Sequence, residues 1–456
     1  MKFKLLAGFV VASMIAVALV ACGCGAGAGG GGGGGGNKQA QYRQMLDTTF
    51  GSSGTVQTTI VGTQGQGANA VAIQPDGKIV VAGYSASGIT STSPGIALYT
   101  VARYNTDGTL DTTFGSPNGW VTTNLTNLVD KANAVAIQAD EKIVVAGTFG
   151  LVRYNNGSSV YPDGSLDTTF GTGGIQTGFT GFNGNAIAIQ PSDEKIVVAG
   201  NNVLTRFNSN GSLDTTTFGG GKGYVWLPYL VSTSTSAYAL QIDSNGYLVV
   251  AGCITLTSGA RAFFLARYNT SGSLDTTFGS PNGWVTTEFG KMDDEARALQ
   301  IQSDGKLVAA GFTEATSNVY TFALARYNTN GNLDTTFGEA KTGMVTTAFG
   351  TIDDEALALG IVPTNQKLVA AGFTVPKANS SYFALACYNT DGTLDTNYNS
   401  TGKVETDVGA AVHGSDDQAN ALAIQSNGQP VAVGNSFVPG SPGAGAIGLA
   451  RYEAVQ

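Results

Sequence analysis

The sequence predicts an all-β protein: a seven-bladed β-propeller of four-stranded antiparallel blades, its ring closed by the N-terminal strand. Three observations lead there. First, the hexapeptide LDTTFG or a close variant begins at Leu46, Leu110, Leu166, Leu213, Leu274, Leu333 and Leu394. It marks units roughly 47 to 64 residues apart, a spacing typical of propeller blades. Second, every unit carries four short segments rich in Val, Ile, Leu, Thr or Tyr and bounded by Gly, Asn, Asp or Pro, which are strand signals with turn punctuation. Third, Gly makes up 65 of 456 residues while charged residues are only 12%, which suits an all-β chain with many tight turns.

In chain order, residues 1–21 carry Lys2 and Lys4 and then an apolar run interrupted by Gly and Ser, somewhat short for a membrane span. This reads as a secretory signal peptide, to be left out of the fold. It ends in LVAC, residues 19–22. Residues 22–45 follow as a linker that is almost entirely Gly and Ala from 23 to 36, a composition that cannot bury a core and behaves as a flexible tether. The repeat domain then occupies residues 46–456.

Within it the fifth unit shows the segments clearly: WVTT from Trp284, ALQIQ from Ala298, KLVAAG from Lys306 and ALARYN from Ala323. The first unit has VQTTI, AVAIQ, KIVVAG and TVARYN. Between AVAIQ and KIVVAG lies PDG, and SDG in unit five, where Gly takes the φ of a hairpin turn. A ring of blades protects strand edges. An open β-solenoid is the alternative, but it would show shorter and more regular coils. AVAIQ, with its small alternating Ala, fits the crowded axis and is assigned the innermost strand a. KIVVAG is b, ALARYN is c, and the xVTT segment after the next LDTTFG is the outer strand d. The last unit supplies ANALAIQ, QPVAVG and GLARYE but no following xVTT, so VQTTI of the first unit is the strand left to complete it.

The pattern LDTTFG, ANAVAIQPDGKIVVAG, ALARYNTDGT closely resembles the delta-sixty repeat family of bacterial secreted and surface proteins. The resemblance covers nearly everything from Leu46 to Tyr452 and implies a propeller with no assigned activity or catalytic residues. Departures are local, such as Cys387 where other units have Arg. The LVAC segment resembles the lipobox of bacterial lipoproteins, which implies cleavage before Cys22 and a lipid on its thiol. An ordinary signal peptide cut near Ala21 is the alternative. A lipid-anchored protein of the bacterial envelope, periplasmic or on the cell surface, follows as an expectation.

Few residues offer chemistry. The net charge of -9 and the absence of basic blocks beyond the first residues argue against a nucleic-acid partner. The one His, His413, removes His-rich metal sites and most nucleophilic triads. Cys253 and Cys387 fall at different positions of repeats two units apart and are not expected to pair. NTDGTLD, at residues 105–111 and 389–395, resembles part of a calcium loop, but other units replace its acid by Asn or Ser, so it reads as a turn. The Asp of LDTTFG recurs in all units and is expected to cap its TTF turn and pair with the Arg of strand c.

Variation is more informative than repetition. The b to c and d to a connections differ between units and emerge on one face, whereas the PDG and NTDG turns lie on the other. The variable face carries acids just before strand a: Asp130, Asp293, Asp294, Glu295, Asp353, Asp354, Glu355, Asp416 and Asp417. They are candidates for binding calcium or a cationic ligand at the channel mouth, with turn capping and solubility as the plainer role. The long loops of units one and four to seven bear Phe312, Tyr320, Phe322, Phe373, Tyr382 and Phe383, candidates for apolar contact. No cofactor is expected. The leading function is a monomeric, membrane-anchored, non-catalytic binding module for a protein or glycan. A carboxylate-based carbohydrate-active enzyme and a purely structural surface protein are the alternatives.

Overall fold

The computed structural model describes residues 45–456 apart from 61, 62, 64, 88–94, 127, 158–161, 179–182, 230–234, 291, 351, 378–379, 410–415 and 438–444. Cys22, the rest of the segments read as a signal peptide and tether up to residue 44, and His413 lie outside the described residues. The first described strand is β1 (Thr55–Thr58). Blade 1 follows as β2 (Gly65–Ile73), β3 (Ile79–Ser87), β4 (Ile96–Tyr104) and β5 (Trp120–Thr123). Blade 2 is β6 (Ala132–Ile137), β7 (Ile143–Gly147), β8 (Gly150–Tyr154) and β9 (Ile175–Thr177). Blade 3 is β10 (Gly184–Ile189), β11 (Ile196–Gly200), β12 (Val203–Phe207) and β13 (Tyr224–Trp226). Blade 4 is β14 (Thr235–Ile242), β15 (Leu248–Thr255), β16 (Arg261–Tyr268) and β17 (Trp284–Thr287). Blade 5 is β18 (Asp294–Ile301), β19 (Leu307–Thr316), β20 (Val319–Tyr327) and β21 (Met344–Thr347). Blade 6 is β22 (Asp353–Ile361), β23 (Leu368–Lys377), β24 (Ser380–Tyr388) and β25 (Lys403–Thr406). Blade 7 combines β26 (Gln418–Ile424), β27 (Pro430–Phe437) and β28 (Gly445–Arg451) with β1.

The order a, b, c, d deduced from residue size is the order observed, and each blade straddles a repeat boundary. The innermost strands neighbour one another from β2 through β26 and back to β2, so the ring is closed. Closure is made by β1, whose Thr55, Val56, Gln57 and Thr58 pair antiparallel with Ala450, Leu449, Gly448 and Ile447. Leu46 adds a bridge to Tyr452.

The core is divided among the seams between blades. Among the described residues seven apolar clusters occur, one per seam, for instance Phe50, Ile79, Val81, Tyr104, Val431, Val433 and Leu449 between blades 7 and 1. Period-2 alternation sends successive side chains of strands b and c to opposite seams, which is why those strands are apolar throughout.

The repeated polar residues weld the seams. Asp47 Oδ1 accepts the Thr49 N–H at 2.9 Å and its hydroxyl at 2.6 Å, while Oδ2 takes Arg451 Nε at 2.9 Å. The same pairing joins Asp111 to Arg103, Asp167 to Arg153, Asp214 to Arg206, Asp275 to Arg267 and Asp334 to Arg326. Each guanidinium also lies over the Phe of its LDTTFG turn, as Arg451 lies 4.5 Å from the Phe50 ring. In blade 6, where Cys387 replaces the arginine, Lys367 Nζ covers Asp395 at 2.8 Å. The tyrosine of strand c reaches the threonine of the preceding outer strand: Tyr104 to Thr58, Tyr154 to Thr123, Tyr327 to Thr287. Tyr268 lacks that bond because blade 3 has Leu227 where the outer strands of blades 1 and 4 have Thr123 and Thr287. The turn after strand c packs on the previous turn so closely that a Cβ at Gly108, whose φ is +87°, would meet the Phe50 ring at 2.9 Å.

Candidate functional site

The hairpins of strands b and c set the relief of the loop face. In blades 2 and 3 both strands have 5 residues, whereas in blades 1 and 4 to 7 they have 7 to 10. The ladders are aligned at the tight-turn end, so at about 3.3 Å per residue the tall blades extend roughly 10 Å further. The loop face is therefore stepped, low over blades 2 and 3.

The acids foreseen at the mouth separate into two sets. Asp130, Asp294, Asp354 and Asp417 turn inward and fold the d to a loops. Asp130 accepts the Leu125 and Thr126 N–H groups at 2.8 and 3.0 Å, Asp294 that of Phe289 at 2.8 Å. Asp354 takes Phe349 and Gly350 at 2.7 and 3.1 Å, and Asp417 takes Val408 and Gly409 at 2.8 and 3.2 Å. Burial raises Asp294, and it raises Asp417 to about 6 against its N–H donors. In blade 1 Gln66 does the same work for the Ile60 N–H. Asp294, Asp354 and Asp417 are thus buried caps of their loops, the plainer of the two roles expected for them. Asp416 is exposed, and its backbone bridges Ser381.

Asp293, Glu295, Asp353 and Glu355 form the second set, beside the inner edge of blades 5 and 6. Arg261, at the start of β16, gives its N–H to Asp293 at 2.9 Å and grips the carboxylate through Nε and Nη2 at 3.0 and 2.7 Å. Glu295, fully buried, is held between Arg261 and Arg297, the latter at 2.6 Å. The Arg297 guanidinium lies 4.2 Å from the Tyr238 ring and 5.5 Å from that of Phe312. Phe312 meets Tyr320 edge to face at 5.3 Å. Asp353 pairs its backbone with Tyr320, which joins blades 5 and 6. Burial and the neighbouring Asp354 charge push Asp353 to about 6. Burial and Asp353 push Glu355 to about 7 against a weaker pull from Arg297 and Arg261.

The aromatics need a correction. Phe312, Phe373 and Tyr382 are 4%, 7% and 8% exposed and Phe322 and Phe383 fully buried, so of the six only Tyr320 presents surface. The lengthened b and c strands pair these rings across the ladder, Phe312 with Phe322 and Phe373 with Phe383. The exposed apolar residues are others: Ile96, Leu128, Phe149, Trp226, Tyr229, Met292 and Ile352. All seven sit in, or at the end of a strand entering, a b to c or d to a connection.

The sequence alone does not single out Arg261, whereas for Arg297 and Tyr238 it carries a signal. At the bulge of the innermost strand blades 1, 2, 3 and 7 carry Asn69, Asn133, Asn185 and Asn420. Asn69, Asn185 and Asn420 each donate to a carbonyl of the next blade at 2.8 to 2.9 Å. Tyr238, Arg297 and Leu357 interrupt that ring in blades 4 to 6. The mouth is also electrically uneven: where blades 5 and 6 place Glu295 and Glu355, blade 2 places Lys131 over the Tyr84 ring at 4.3 Å.

Calcium finds little support in the tight turns, where Asp107 Oδ1 accepts the Thr109 N–H at 2.9 Å and its hydroxyl at 2.7 Å. Among the described residues no three His, Cys, Asp or Glu side chains converge to hold a metal ion. Cys253 and Cys387 are free and buried.

The two acid populations work against each other as pH changes. Asp47, Asp111, Asp167, Asp214, Asp275 and Asp334 have lowered folded-state values: Asp47, with burial outweighed by Thr49, Gln429 and Arg451, sits at about 2. Their contribution is complete above the ordinary carboxylate value and is lost as pH falls through about 2. Asp353, Glu355 and Asp417 are raised, so they weaken the fold as pH climbs from about 4 to about 7. The thermal midpoint is therefore expected to fall by a few degrees between pH 5 and pH 8, and less in Asp353→Asn/Glu355→Gln. A flat profile in the parent protein would show that these acids are already compensated.

The sequence matches the model of a family described as a domain of unknown function (DUF5122) forming a β-propeller, at residues 74–114, 138–170, 192–216, 244–278, 302–337 and 366–398. These segments run from just before strand b into LDTTFG and so include the b to c connection of each unit. No curated protein matches. A crystal structure of a protein of unknown function from Dyadobacter fermentans is similar at 13% identity and a TM-score of 0.47, over 88% of this chain and 100% of that one. A structure titled YCF48 bound to D1 peptide is similar at 12% identity and a TM-score of 0.45, over 88% and 94%. A gluconolactonase of Xanthomonas campestris is similar at 10% identity and a TM-score of 0.35, over 70% and 85%.

Proposed function

We propose that this β-propeller is a non-catalytic binding module of the bacterial envelope, tethered through a lipid on Cys22 and docking a partner on its stepped loop face. One observation carries the docking site: all seven exposed large apolar side chains among the described residues lie on that face. Isolated exposed apolar residues are ordinary, but their confinement to one side of a ring with two such different faces is what an interaction surface looks like. Leu128, Phe149, Trp226 and Tyr229 line the low side over blades 2 and 3, and Met292 and Ile352 lie at the foot of the tall blades. A step with apolar residues on both levels fits a folded protein better than a short glycan. The tether and the LVAC segment support the address.

The test uses Trp226→Ser/Tyr229→Ser/Met292→Ser/Ile352→Ser, changes at exposed positions that should leave the thermal midpoint within a degree or two. Envelope proteins and glycans retained by the parent domain are purified, identified and titrated against both proteins. The variant is expected to bind at least tenfold more weakly. Equal affinity would place the site on the tight-turn face or the outer edge instead.

A further inference from the structure

The segment DDEA occurs twice, at residues 293–296 in blade 5 and 353–356 in blade 6. The two copies occupy the same place: Glu295 lies across the ladder from Phe312 and Glu355 from Phe373, each just before the bulge. The middle aspartate caps its loop in both blades. The outer acids differ. In blade 5 two arginines neutralise them, Arg261 gripping Asp293 and sharing Glu295 with Arg297. In blade 6 both arginine positions are lost. Tyr320 stands where Arg261 stands, each six residues before the ion-pairing arginine of its strand, and Leu357 stands where Arg297 stands. The side chains of Asp353 and Glu355 make no hydrogen bond or ion pair among the described residues, and one Asp353 carboxylate oxygen is shut off from solvent without a partner. Partly desolvated carboxylates side by side, with only the weaker pull of Arg297 and Arg261 on Glu355 and no arginine in contact with either, weaken a fold.

We propose that the outer acids of blade 6 receive the guanidinium group of an arginine side chain from a protein partner, which occupies beside Tyr320 the place that Arg261 fills in blade 5. Blade 5 is the internal precedent: the same residues, in the same register, already ligate guanidinium groups. The planar fork of arginine suits two neighbouring carboxylates better than the point charge of an ammonium group. An aromatic ring beside the site adds a favourable face, as Tyr238 does for Arg297. A metal ion is a poorer occupant because no third ligand converges there. Met292 and Ile352, exposed on the loops leading into the two DDEA segments, offer apolar contact to residues flanking the arginine. The inference rests on the loop-face reading and names the chemistry of its partner.

The probe is the tripeptide acetyl-Leu-Arg-Leu-amide, titrated calorimetrically into the domain at pH 8, where both acids are ionised. Saturable binding is expected, at least tenfold weaker when citrulline replaces arginine and equally weakened in Asp353→Asn/Glu355→Gln. In Tyr320→Arg/Leu357→Arg, which gives blade 6 the arginines of blade 5, binding should disappear while the thermal midpoint rises; that rise shows that the loss is not misfolding. Equal binding of the arginine and citrulline peptides, binding untouched by the acid substitutions, or no binding at millimolar peptide each overturns the inference. A partner that still docks on the loop face of Asp353→Asn/Glu355→Gln with full affinity sinks this inference alone. Failure of the apolar surface variant to weaken docking sinks the broader reading instead.

Discussion

Removing residues 46–60 is expected to lower the thermal midpoint by at least about 10 °C, or to leave the ring unable to close. The segment contributes the fourth strand of blade 7, pairing four residues of β1 with β28. It also buries Leu46, Phe50 and Ile60, which are 4%, 0% and 3% exposed. At about 1.5–3 kcal/mol for each fully buried side chain, those three alone represent roughly 5–9 kcal/mol, the scale of an entire domain's stability. The deletion further strips Arg451 of Asp47 and Tyr104 of Thr58. A synthetic peptide of residues 46–60 added back should bind and restore the midpoint, which separates loss of the latch from general damage. An unchanged midpoint after the deletion would mean that three strands suffice for blade 7.

The architecture was legible because repetition samples one answer seven times. Small residues in AVAIQ placed that strand at the axis, and the missing xVTT after Tyr452 pointed to β1 as the closing strand; both follow from constraints acting on every blade. The aspartates of LDTTFG were readable for the same reason, since a residue present in every unit serves the unit. Which connections share the variable face was legible in the sequence, but which of its side chains are buried was not. DDEA looks like three equivalent acids in sequence. Period-2 alternation and the start of the strand divide them, sending Asp294 and Asp354 inward to backbone N–H groups and leaving Asp293, Glu295, Asp353 and Glu355 in the second set. Phe312 and Phe373 look like loop aromatics, yet the ladder continues past the point where blades 2 and 3 turn, and pairing across it buries them. The shared grip of the arginines was invisible for a further reason: Arg261 and Arg297 belong to different blades, and only the closed ring brings both to Glu295.

The arginine of strand c can be tested against the one unit that dispenses with it. Arg451, in blade 7, holds Asp47 through Nε at 2.9 Å and Nη2 at 2.8 Å, lies over Phe50, and bonds the Thr106 carbonyl across the seam to blade 1. Both charges are largely withdrawn from water, at 7% and 6% exposure. Arg451→Cys removes one partner and leaves Asp47 with Thr49 and Gln429, a loss expected to cost about 3–5 kcal/mol. Blade 6 already carries Cys387 at this position, and there Lys367, in the place of Gln429, is the cation left on Asp395 at 2.8 Å, whereas Lys78, Lys142, Lys195 and Lys306 share that place with an arginine in their blades. Transplanting that solution as Arg451→Cys/Gln429→Lys should therefore recover part of the stability, whereas Gln429→Lys alone should change it little because Arg451 already satisfies Asp47. Urea denaturation of the four proteins gives the coupling directly, and a positive recovery term of at least about 1 kcal/mol is expected, the size typical of residues sharing one buried network. If Arg451→Cys costs less than about 1 kcal/mol, the ring of Asp–Arg pairs would rank with surface ion pairs, and the hold on the LDTTFG turns would have to come from Phe50 and its counterparts packing beneath the guanidinium groups.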